Sequence, residues 1–195
     1  MNNPLKNIVI LAVILVGLFF LTTKNENSNF TKSNFVYKGD KDNIAKIMIQ
    51  QGDNMIQLNR VDTTWEIAGI DTLVIRENRI DDFFEKVLNV KRTTIRSKKE
   101  SNWLNYSVDD STGTHLVLID DKDDSIGSYI FGRSKTDWAH NFVRLKDQNE
   151  STDILKNVYE TSESVIHHLN TSATYWGEKL PELDIEGMDV DSLGN

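Results

Sequence analysis

An α+β architecture is what this sequence predicts: an N-terminal transmembrane helix, then antiparallel β-sheet hairpins with two or three helices packed on the sheet. Three observations carry that expectation. Ile8 to Leu21 reads IVILAVILVGLFFL, with no polar side chain. From Ile44 onward, short runs alternate apolar and polar residues between turn residues, as strands with one buried face do. Among those runs, IDDFFEKVLNV changes to a helical period.

The apolar run is the first element. Seventeen uncharged residues separate Lys6 from Lys24. As a helix they span roughly 25 Å, slightly less than a ~30 Å hydrocarbon core. Snorkelling of the two lysines and local thinning of the bilayer make up the difference. The next residues, TTKNENSNF, have no A-x-A pattern for a signal peptidase, so residues 1–23 are expected to be a retained signal-anchor rather than a cleaved signal peptide. The absence of cysteine excludes a lipoprotein. Lys6 and the α-amine flank one end of the run, while Lys24 at the other is balanced by Glu26. The positive-inside rule then leaves the N-terminus in the cytoplasm and the remaining chain outside it.

Composition narrows the partners. The chain carries 22 basic and 30 acidic residues, a net charge of −8, and Lys6 is the only charged side chain before Lys24. The chain beyond the anchor is thus close to −9, a sign that phosphate backbones and anionic head groups repel, and no nucleic-acid partner is expected. Without cysteine, disulfides, thiol catalysis and Cys-type zinc sites are excluded.

Residues 24–43 are rich in Asn, Ser and Lys without apolar period and read as a flexible tether, with Phe35, Val36 and Tyr37 docking its end. Residues 44–180 read as one folded domain. IAKIMIQ and MIQLNR alternate around Gly52 and Asp53, a hairpin, and TWEI comes next with Trp65 and Ile67 facing the core. Ile80, Phe83, Phe84, Val87 and Leu88 then fall on one face of a helix, with Asn78 as N-cap. VKRTTIRS is a polar strand or connector, and a short helical turn is expected around Trp103 and Leu104. THLVLID and SIGSYIFG form a second hairpin across DKDD, ended by Gly132. HNFVRLKD is a strand with Phe142 and Arg144 on opposite faces, NVYET another, and SESVIHHLN a short helix. Residues 181–195 hold five acids and no base, an acidic tail.

No stretch after the anchor carries a catalytic or cofactor motif. G-x-S-x-G, G-x-G-x-x-G and Walker sequences do not occur. The acidic run DDKDD at 120–124 lacks the central Gly and closing Glu of a calcium loop, and reads as a solvated turn. His167 and His168 are adjacent and point about 100° apart on a helix, a poor arrangement for joint metal ligation. The loop Asp137-Trp138-Ala139-His140 brings a carboxylate, an indole and an imidazole together. Asp137, Trp138 and His140 are therefore the candidate ligand or partner contacts: the indole stacks on a sugar ring and the carboxylate bonds hydroxyls. The competing reading packs Trp138 back on the domain. No catalytic residue, cofactor or metal is expected.

The order of these landmarks resembles the DUF4340 family of bacterial membrane-anchored proteins. The matching features are the Trp65 strand after a hairpin, IDDFFEKVLNV, YSVDD leading into THLVLID, Ile130 to Gly132, Phe142 to Leu145, Val158 to Thr161, and Trp176 after the last helix. They span about residues 40–180. The family has no established activity, and its members are often encoded beside ABC-transporter subunits and a gliding-type auxiliary protein. The resemblance implies a single-pass protein of the bacterial inner (cytoplasmic) membrane whose periplasmic domain is a non-enzymatic accessory of an ABC-transporter-type envelope complex, contacting permease or auxiliary subunits. The alternative is a glycan- or small-ligand-binding module using residues 137–140.

Overall fold

The computed structural model describes residues 35–133, 139–146 and 150–179. The expected hairpin is present: β1 (Lys46–Gln51) and β2 (Asn54–Val61) pair antiparallel with Ile49 opposite Ile56. Gly52 takes a φ of 58° at the corner, a left-handed conformation that glycine adopts without a Cβ penalty. The alternation puts Ile47, Ile49, Ile56 and Leu58 on one face, all buried. β3 (Thr64–Ile67) adds outside β2. On its other side β1 pairs with β6 (Thr114–Ile119), which turns back into β7 (Ser125–Arg133). β8 (Asn141–Leu145), β9 (Val158–Thr161) and β5 (Arg92–Ser97) complete an eight-stranded antiparallel sheet in the order β3-β2-β1-β6-β7-β8-β9-β5.

One face of this sheet is the main core. Across it lie a two-stranded sheet of β4 (Leu73–Ile75) and β10 (Gly177–Lys179), and a helix that starts as α1 (Glu77–Asp82) and continues as a π-helical stretch, Phe83–Leu88. Single turns add to this layer: α2 (Thr152–Leu155), a 3-10 turn at Ile166–His168 and α3 (Ala173–Trp176). Trp176 and Phe83 are fully buried at its centre, with ring centroids 6.2 Å apart.

Among the described residues, a smaller cluster covers the opposite face towards β7, β8 and β9. There a 3-10 segment, Glu100–Tyr106, lays Trp103 and Tyr106 over Val108, Ile130, Phe142 and Val158. Arg144, 4% exposed, enters this smaller core: its guanidinium lies 3.8 Å from the Trp103 ring centroid and its Nε donates to Val108 O at 2.9 Å. Phe142 and Arg144 thus share a face, against the expectation of opposite ones, because residues two apart on a strand point the same way.

A carboxylate fixes the turn between this segment and β6. Asp109 Oδ1 accepts from Ser111 N and Thr112 N at 3.0 Å and from Ser111 Oγ, and Oδ2 accepts from Thr112 Oγ1. Desolvation alone raises the pKa of this group, but the four hydrogen bonds outweigh it and hold the carboxyl far below the usual range. A depressed folded-state pKa contributes stability above the unfolded value of about 3.9, and that stability is lost as pH falls through the folded value. Asp109→Asn is therefore expected to cost about 1 kcal/mol at neutral pH, with the difference from the parent shrinking in strong acid. Urea unfolding of both proteins at the two pH values checks this, and a pH-independent difference removes the carboxylate from the account.

The α+β expectation, with two or three helices on the sheet, does not hold. The described residues form ten strands in a mostly antiparallel arrangement with few short helices. The helical period at residues 80–88 does mark a helix, but SESVIHHLN forms only the 3-10 turn at Ile166–His168. That segment lacks the two turns of apolar spacing that would bury a helical face. Among the described residues no helix is long and apolar enough to cross a membrane. The apolar run at 8–21 and the acidic tail lie outside them.

Candidate functional site

The sequence placed its candidate contacts at Asp137, Trp138 and His140. Asp137 and Trp138 lie outside the described residues. His140 stands at the start of β8, its Nδ1 3.6 Å from Glu160 Oε1, while Glu160 Oε2 meets Arg96 Nη2 at 2.7 Å. The next residue is structural: the Asn141 side-chain oxygen accepts from Val165 N and Ile166 N at 2.6 and 2.9 Å. The His167 and His168 rings lie tilted against each other with centroids 3.9 Å apart, and burial followed by the neighbouring His167 pushes the His168 pKa down. Among the described residues no three His, Asp or Glu gather as a metal site would require.

A concavity lies elsewhere, along the outer side of the α1 helix. Its geometry starts from the doublet Phe83-Phe84. On a regular helix both rings were expected to face the core with Ile80 and Val87. The helix instead takes π geometry from Phe83, and the two rings differ in burial. Phe83 is fully buried, whereas Phe84 is half-buried, its ring 5.7 Å from Phe83 and 5.8 Å from Trp65. Trp65 is likewise half-buried rather than a core residue, because it pairs opposite Arg60 on the edge strand β3.

Phe84 forms a saddle between two compartments. One, of about 710 Å³, lies between the helix and the loop Tyr37–Lys41, with Leu88 on its floor. The other, of about 410 Å³, lies between the helix and β3 and β4, floored by Trp65, Ile75 and Ile80. Lys41, Asp81 and Phe84 line both, so the two form one groove.

Local chemistry holds the loop wall in place. The Tyr37 hydroxyl donates to Asp40 O at 2.9 Å, and burial, then the Asp40 charge, raises its pKa. Asp40 Oδ1 accepts from Asp42 N at 3.0 Å, capping a 3-10 turn at Lys41–Asn43. Arg60 Nη1 donates to Asp42 O at 3.0 Å, tying the loop to β2. Asp40, Asp42, Glu77, Asp81 and Glu85 line the groove against Lys38, Lys41 and Arg60, so its rim is acidic on balance. Lys38 is committed within the domain, its Nζ 2.9 Å from Glu150.

An aromatic saddle beside an apolar floor of Trp65, Ile75 and Ile80, with an acidic rim, suits an amphipathic partner segment whose apolar side chains seat beside Phe84 and whose basic groups meet the rim. The doublet was the sequence signal nearest this groove: adjacent side chains on a helix point about 100° apart, so one of the two rings lies nearer the edge of the apolar face. No protein-family model, curated protein or solved structure matches this chain.

Proposed function

We propose that this chain is a membrane-anchored, extracytoplasmic accessory protein that binds a protein partner through the Phe84 groove. The observation that carries the reading is the half-buried aromatic saddle of Phe84 and Trp65, with Trp65, Ile75 and Ile80 flooring the compartment towards β3. π-Helical distortions cluster at functional positions, where they re-aim side chains. The resemblance in landmark order adds the class of partner: permease or auxiliary subunits of an ABC-transporter-type complex in a bacterial inner membrane. The groove contributes recognition, and no chemistry is assigned to it.

The test places a photo-crosslinking side chain at Lys41, on the groove rim, or at Met55, 57% exposed on the β1–β2 hairpin. The full-length protein is irradiated in its native membranes. Partner subunits are expected to crosslink through position 41 and not 55. Phe84→Ala is expected to lower the yield about tenfold, equivalent to about 1.4 kcal/mol of contact. Equal yields at the two positions, or recovery of the chain alone, would overturn the proposal.

A further inference from the structure

The net charge of −8 conceals a basic stretch. Residues 91–99 read KRTTIRSKK, five bases and no acid. They form β5 and its continuation, and β5 is the last strand of the large sheet, paired on one side with β9. Arg96 meets Glu160, Arg92 lies over Tyr159 and Lys91 over Phe35, while Lys98 and Lys99 are exposed just beyond the strand.

An apolar tip stands beside these lysines. The 3-10 segment Glu100–Tyr106 folds back on the end of β5: Lys99 N and Asn102 Nδ2 donate to Ser97 Oγ at 3.1 and 3.0 Å, and the Tyr106 hydroxyl donates to Arg96 O at 3.2 Å. This places Leu104, 62% exposed, at the outside of a segment that opens on Lys98 and Lys99. Ile95, on the edge strand itself, is 42% exposed. Glu100 is the one acid between residues 91 and 106.

The chain also arrives at this edge. Phe35 bridges antiparallel to Lys91, and Val36 N donates to Val90 O at 2.9 Å on the side of β5 away from β9. Residues 24–34 separate Phe35 from the expected anchor, residues 1–23, so Phe35 sits at most about 40 Å along the chain from its end. If residues 8–21 span the bilayer, as the proposed function holds, the β5 edge is the part of the domain tethered closest to it.

We infer that the β5 edge and the Leu104 tip form a docking surface for anionic lipid in the same membrane that holds the anchor. Lys98 and Lys99 meet phosphate groups, Leu104 enters the interfacial layer, and the acidic remainder of the domain is turned outward. Docking fixes the orientation of a domain that the tether alone would leave free, and the Phe84 groove then faces its partner from one direction.

The test rests on the anchor and is designed to separate the two. The chain has no cysteine, so a nitroxide can be placed singly at Leu104→Cys, Val16→Cys or Met55→Cys in the full-length protein. Each is reconstituted in vesicles of phosphatidylcholine alone or mixed with phosphatidylglycerol, and accessibility to oxygen and to a water-soluble relaxant is measured. The Leu104 label is expected to enter the bilayer only in the anionic vesicles and to leave at high salt. The double change Lys98→Glu, Lys99→Glu is expected to reduce the inserted fraction at least tenfold, with the Met55 label aqueous throughout. A Leu104 label that stays aqueous in both lipids while the Val16 label is embedded overturns the docking and leaves the anchor standing. If Val16 is aqueous the anchor fails; an aqueous Leu104 then ends the docking as well, and an embedded one sustains it without the anchor.

Discussion

Gly132→Ala lowers the melting temperature by about 10 °C and releases the 3-10 segment from the sheet. Gly132 lies in β7, paired with Phe142, directly beneath the chain at Tyr106 and Ser107. A Cβ at this position collides with Tyr106 O and stands 2.6 Å from Ser107 O. Both are backbone atoms, so no rotamer change relieves the overlap, and β7 cannot retreat without breaking pairing to β6 and β8. The segment must lift, and Trp103 then loses its contacts with Arg144 and Lys156 O. Overpacking of this kind costs about 3 kcal/mol, which for a domain of this size is roughly 10 °C. Gly52→Ala is the control: its turn is open, with nothing within 4 Å of the added carbon, and the φ of 58° alone costs about 1 kcal/mol. Thermal unfolding followed by tryptophan fluorescence reads both. A Gly132→Ala protein that melts within about 3 °C of the parent would show that the close approach is not what holds this segment.

Trp176→Ala is the second large effect, about 3–5 kcal/mol of lost stability. The indole is fully buried, its Nε1–H donates to Asn170 O at 2.6 Å, and its ring contacts Phe83 and Tyr175 edge-on. Removing it opens a cavity between the helix and the β4–β10 pair, whose last strand begins at the next residue. Because Arg76 N donates to Trp176 O, the small sheet and the start of the helix loosen together. Trp176→Phe keeps most of the volume and leaves Asn170 O without its donor, so it is expected to cost only about 1–2 kcal/mol. Equilibrium denaturation separates the two variants. Equal losses would mean that the hydrogen bond, rather than the packed volume, dominates.

Hairpins were legible in this sequence where alternation and a turn occur together, as at Gly52-Asp53 and across DKDD. The neighbours of those hairpins were not. Alternation says which face Ile47 and Ile49 occupy, but nothing local says that they pair with Leu118 and Leu116. The helix at residues 80–88 was legible from its period, but its π geometry was not, because Phe83 and Phe84 each fit the expected apolar face. That substitution of one face for two is why the groove went unseen. The burial of Trp176 was not legible, since its short irregular segment has no period from which burial can be read. The helix content was overestimated for a related reason: SESVIHHLN has helix-compatible residues but forms only one 3-10 turn, Ile166–His168.

The position of β6 between β1 and β7 has a consequence for the order in which the protein can be assembled. β1 ends at Gln51 and its second partner, β6, begins at Thr114. At ribosomal rates of about 5–20 residues per second, several seconds pass before that partner has been made. During that interval the β1–β2 hairpin presents an unpaired ladder edge beside Ile47 and Ile49, open to any other extended chain. Holding factors that bind extended chain are expected to associate with intermediates that end between these strands, and to leave once Ile119 has emerged.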